Sequence, residues 1–144
     1  MSDDDITHPP DAFWQAVEQF NQGAFYECHD TLEAIWMVAT AAEKPFYQGI
    51  LQIAVAFYHL GNHNWHGAAI LTGEGIRRLE PFEPAYNGID VTDFLDRASL
   101  WLDALQALGP DHIQPLASTL GGQLPTGDSS FDWQTLPQLK IQLL

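Results

Sequence analysis

On a helix turning about 100° per residue, His29, Glu33 and Trp36 fall within one narrow arc, with Tyr26 beside Glu33. Asp30 lies one step further round, and Glu27 points away toward solvent. All belong to Gly23–Trp36, GAFYECHDTLEAIW, a stretch dense in groups that exchange protons or hold ligands. A second set follows: Gln48, Gln52 and His59 share one line on a later helix, with Val55 on it too. An imidazole beside a carboxylate can pass a proton. Two imidazoles and a carboxylate, here His29, Glu33 and His59, can hold a divalent metal, the candidate cofactor. A buried amide or imidazole without a partner costs about 1–3 kcal/mol. The Gln48, Gln52 and His59 line therefore needs polar partners, and the nearest expected ones are Tyr26, His29, Asp30 and Glu33. The expected site is a pocket between helices two and three lined by His29, Glu33, Gln48, Gln52 and His59, with Tyr26 and Trp36 as walls.

Three readings of that seam stand. It binds a small molecule or a protein partner; it is a metal-dependent or acid–base enzyme site using His29, Glu33 and His59; or it is a polar network that only locks two helices together. The spacing names no reaction. There is no HExxH, and the Glu-x-x-His pair of di-iron bundles is absent from both helices. His29 and Glu33 are i, i+4 neighbours able to pair with each other.

The elements that must position these groups read as helices. Pro9 and Pro10 suit the start of helix one, Asp11 favours its first turn, and Phe13, Ala16, Val17 and Phe20 form its apolar stripe. Asn21-Gln22-Gly23 ends it, with Gly23 placed for a left-handed cap. Helix two, about Ala24–Thr40, buries Phe25, Cys28, Leu32, Ile35 and Ala39; Cys28 reads as a small buried hydrophobe. Pro45 opens helix three, apolar nearly all round and hence central, which Gly61-Asn62 closes. Helix four spans roughly His63–Glu80, with Gly67, Gly73 and Gly75 allowing close approach. Phe82–Ile89 reads as a loop, and Asp90 as the cap of helix five, which ends at Gly109-Pro110. Beyond it, at most a short helix is expected near Ile113–Leu120, then an extended arm over 131–144. The turns before helices two and four are loosely alike at an offset of about forty residues, which resembles tetratricopeptide-type helix pairs.

The expectation is an all-α, single-domain bundle of about five helices built from antiparallel hairpins: residues 1–109 the bundle, 1–8 a disordered acidic tail, 110–144 a loop and arm. The 144 residues carry 19 acids against 5 Lys and Arg, a formal net charge of -14. That balance disfavours nucleic-acid phosphates and anionic membranes. The single cysteine allows no intrachain disulfide and suits the cytoplasm. A protein partner, a homodimer joined through the arm, or a small-molecule ligand fits the composition.

The motif residues also carry a resemblance. Gly23, Phe25, Tyr26, Glu27, His29, Asp30, Leu32, Glu33 and Trp36 resemble the G-x-F-Y-E-x-H-[DE]-x-L-E-x-x-W signature of the domain-of-unknown-function family 309. Phe46-Tyr-Gln48-Gly49-Ile-Leu-Gln52-Ile-Ala54-Val-Ala56-Phe-Tyr58-His59 is similar to its second block, and Gly61-Asn62, Gly67-Ala68 and Leu71 to a third. The family's arginine before the second block is replaced by Glu43-Lys44-Pro45, which leaves Lys44 as the substitute base. The resemblance implies an all-helical fold and no particular reaction.

Overall fold

A computed structural model of the chain describes residues 9–122 and 131–144. The expected tail over 1–8 lies outside the described residues. Pro10, extended in its backbone, precedes α1 (Asp11–Asn21), and its carbonyl accepts from the Phe13 N–H. Phe13, Ala16, Val17 and Phe20 are buried along one side of α1. Then follow α2 (Phe25–Val38), α3 (Lys44–Gly61), α4 (Trp65–Leu79), α5 (Val91–Leu108) and α6 (Ile113–Leu120). The fold is a helical bundle, with the short segment at Ile113 forming the sixth helix. No described helix is long and apolar enough to cross a membrane.

The α1–α2 and α3–α4 pairs follow one burial register forty positions apart. Phe13, Ala16, Val17, Phe20, Cys28, Leu32 and Ile35 are buried, and so are Ile53, Ala56, Phe57, Leu60, Ala68, Thr72 and Gly75. The turns match as well. Gly23 takes φ +79°, with its N–H on the Phe20 carbonyl and the Ala24 N–H on the Gln19 carbonyl. That is the paired C-terminal closure in which one left-handed residue satisfies the last helical carbonyls. In the second pair His63 takes φ +61°, with its N–H on Leu60 and the Asn64 N–H on His59.

The α3 helix is the spine. Phe46, Tyr47, Ile50, Ile53, Ala54, Phe57 and Leu60 are all buried on it. Against α4 the approach is close enough to require glycine. A Cβ on Gly75 would sit 2.5 Å from Ile53 Cγ1 and 2.8 Å from the Gly49 carbonyl oxygen.

The stretch expected as a loop before α5 contains a small hairpin, β1 (Ala85–Tyr86) paired antiparallel with β2 (Ile89–Asp90). Asn87 and Gly88 both have positive φ, 49° and 81°, as the tight turn of a two-residue hairpin demands. Asp90 then caps α5, its carboxylate accepting from the Asp93 N–H at 2.9 Å.

Residues 131–144 lie on the bundle. Leu139 and Ile141 are buried. Trp101 Nε1 donates to the Pro137 carbonyl and Arg97 Nη1 to the Gln138 carbonyl, both at 2.8 Å. The chain end joins the hairpin: the Asp90 N–H donates to the Gln142 carbonyl, and the Leu144 N–H to that of Gly88.

Candidate functional site

The first turn of α2 and the last turn of α3 meet at a pair of tyrosines. Tyr26 and Tyr58 lie 5.4 Å apart between ring centroids, tilted by 52°. They are 53% and 41% exposed. Beside them opens a cleft of about 150 Å³ lined by Phe25, Tyr26, His29, Val55, Tyr58 and His59. A wider groove of about 500 Å³ continues past the same tyrosines toward Asn62 and the end of α6 at Leu120. A further cleft of about 480 Å³ lies beneath the arm, between Phe25, Trp101, Trp133 and Leu136, and no charged side chain lines it among the described residues.

His29 sits at the rim between two carboxylates. Its Nδ1 is 3.2 Å from Asp30 Oδ1 and its Nε2 is 3.3 Å from Glu33 Oε2. Both acids are more than half exposed. His59 turns its Nδ1 toward the Asn64 amide nitrogen at 3.1 Å, and its ring covers Gly67, where a Cβ would come within 2.7 Å.

Tyr26, His29 and His59 are thus brought together, with Asp30 and Glu33 reached through His29. Gln48, Gln52 and Trp36 do not line that cleft. Gln52 is a correction in partner. Its Nε2 donates to Glu74 Oε2 at 3.3 Å, and its Oε1 accepts from Arg78 Nε at 3.1 Å. Both partners lie on α4 instead of α2. Its side chain leaves α3 on the α4 side, where a carboxylate and a guanidinium satisfy both ends of the amide. Gln48 is half-buried one turn earlier. Trp36 lies at the other end of α2, where Lys44 Nζ stands 4.4 Å above its ring. The substitute base therefore meets an aromatic face of the first block, not an acid.

Among the described residues no three His, Cys, Asp or Glu side chains are grouped to hold a metal ion. His29 and His59 approach the cleft from different helices, each with a ring nitrogen against its own helix's neighbourhood. Cys28 is buried, donates its S–H to the Ala16 carbonyl at 3.3 Å, and is pushed up to about 12 by burial. A thiol so held is no nucleophile at neutral pH.

Tyr58 is the site residue that the angular reading passed over. It stands beside His59 in the second sequence block. Its exposure on an otherwise apolar helix is set by the packing of α2 against α3, which residue spacing within α3 does not contain.

With this geometry in place, comparison with known proteins adds a partial family match. Residues 13–71 match the Domain of unknown function (DUF309). The DUF309 match runs from Phe13 on α1 to Leu71 on α4 and contains both tyrosines and both histidines of the cleft. Over 57 residues the chain is 37% identical to the Uncharacterized protein YpuF of Bacillus subtilis (strain 168), covering 39% of this chain and 33% of that one. The chain thus spans about a third of the length of this curated relative. No solved structure matches. The DUF309 match covers less than half of the chain, and the relative is itself described as uncharacterised.

Proposed function

We propose that this chain is a protein-interaction module that takes a segment of a partner chain in the α2–α3 groove. Tyr26, His29 and His59 would contact it directly, with Asp30 and Glu33 at the rim. The observation that carries this reading is the exposed Tyr26–Tyr58 pair over an apolar cleft. Paired tyrosines supply large contact area at low cost in side-chain entropy, and tyrosine is enriched among the residues that dominate binding. The neighbouring groove gives an extended segment room to continue toward α6. Two helical hairpins on one register form the kind of scaffold that presents such grooves.

The partner class follows from charge. A net charge of -14 disfavours nucleic-acid phosphates and favours a basic segment. A cytoplasmic setting belongs to the same reading, in keeping with a single buried thiol. Acid–base work at His29 and Glu33 draws less support. The two side chains are 28% and 55% exposed on an open rim, where water competes for every proton. The Gln52, Glu74 and Arg78 contacts serve as a polar tie between α3 and α4.

Selection from a displayed random-peptide library tests the proposal, with counter-selection on the Tyr58→Ala variant. Peptides that enrich on the parent chain and lose binding on Tyr58→Ala are expected. Equal enrichment on both would overturn the proposal.

A further inference from the structure

We propose that the bound segment presents a lysine side chain, whose ammonium seats against Tyr26 and Tyr58; this rests on the docking reading above. The cleft beside the tyrosines is lined by Phe25 and Val55 and by His29, whose ring nitrogens lie 3.2 Å from Asp30 and 3.3 Å from Glu33. An aliphatic stem fits an apolar floor while its charged head stays at the wet edge. A cation within about 6 Å of a tyrosine face is attracted by the ring quadrupole. The two carboxylates add to that attraction, and no lysine or arginine lines the cleft to oppose it. The chain already makes this contact once within itself, with Lys44 Nζ 4.4 Å above the Trp36 ring.

Lysine is favoured over arginine by the state of the acids. A guanidinium seeks both oxygens of one carboxylate. Asp30 Oδ1 and Glu33 Oε2 each lie beside a His29 nitrogen, so a guanidinium fork on either acid would have to displace the imidazole. A compact ammonium needs only the remaining oxygens and the ring faces.

The test uses n-butylammonium, which reproduces the end of a lysine side chain, against 1-butanol, its neutral counterpart. Aromatic resonances of Tyr26 and Tyr58 report binding to the full chain. Butylammonium should move both sets, and butanol at equal concentration should not. Binding should fall about two- to five-fold in Tyr58→Ala, the size of an exposed cation–ring contact. It should fall similarly in Asp30→Asn with Glu33→Gln, and persist in Tyr58→Phe, which keeps the ring. An equal response to butanol, or an unchanged response in the charge-removed variant, would overturn the assignment. Selected peptides supply the second arm. If they bind through Tyr58 but tolerate norleucine in place of lysine, the lysine assignment fails and the docking reading stands. If butylammonium binds and no peptide is selected, docking fails, and the lysine assignment with it, leaving a site for free amines.

Discussion

Asn21 holds Ile141 at both of its backbone polar groups. Asn21 Nδ2 donates to the Ile141 carbonyl at 3.0 Å, and its Oδ1 accepts from the Ile141 N–H at 2.7 Å. One side-chain amide thereby does for the arm what a neighbouring strand would do. The last residue of α1 is tied to the chain end, and Ile141 is buried between them. Asn21→Ala should lower stability by about 1–3 kcal/mol, because two backbone groups are left unpaired. Hydrogen exchange at the Ile141 amide should accelerate by more than global unfolding explains. Exchange unchanged from the parent would show that the arm is held elsewhere.

The shared register of the two hairpins makes a paired prediction at their turns. His63 occupies the left-handed position that Gly23 occupies in the first hairpin. A side chain there costs roughly 1–2 kcal/mol, which glycine avoids. His63→Gly should raise the unfolding free energy from denaturant titration and Gly23→Ala should lower it, each by about 1 kcal/mol. Shifts of the same sign in both variants would contradict the common turn geometry.

Two buried acids set the alkaline limit. Burial raises the Cys28 thiol from 9.0 to about 12 and the Tyr47 phenol from 10.0 to about 12; the nearby Glu43 charge also raises Tyr47, while the Asn87 amide donating to its oxygen pulls it back. Above those ordinary values the unfolded chain releases protons that the folded chain keeps. The unfolded state then binds fewer protons, so stability falls as pH rises. The contribution is complete below 9.0 and lost by about 12. Denaturant titrations stepped across that interval should show the decline, and Cys28→Ala should remove its lower end. Thiol reagents should leave Cys28 untouched until the chain unfolds.

Much of this fold was legible in residue spacing, and the misses have physical causes. The stripes of α1 and α2, the proline at the start of α3, the Gly23 turn and the Asp90 cap are local signals, and each appears where its chemistry places it. The Asn87-Gly88 turn was also a local signal, hidden because its strands are only two residues each. Spacing points Gln52 to partners on α2, and its partners lie on α4. A helical line gives a direction about its own axis, and α3 has α2 on one side and α4 on the other. Its partner Arg78 lies 26 residues on, a relation that only packing creates. The Tyr26–Tyr58 contact is of the same kind. Tyr26 was read as a wall of the seam, but the ring opposite it comes from a helix whose rotation is set by Phe57, Leu60 and the rest of the core.

The most direct measurement is the affinity of a library-selected peptide for three chains: the parent, Tyr58→Ala and Gln52→Ala. Tyr58 lies in the groove, and Gln52 lies on the α4 side of the same helix. Binding should weaken about 30-fold in Tyr58→Ala, as expected for a dominant aromatic contact of about 2 kcal/mol. It should be unchanged in Gln52→Ala, even where that variant is less stable. Equal affinity for all three chains would contradict the assignment of the α2–α3 groove as the binding surface.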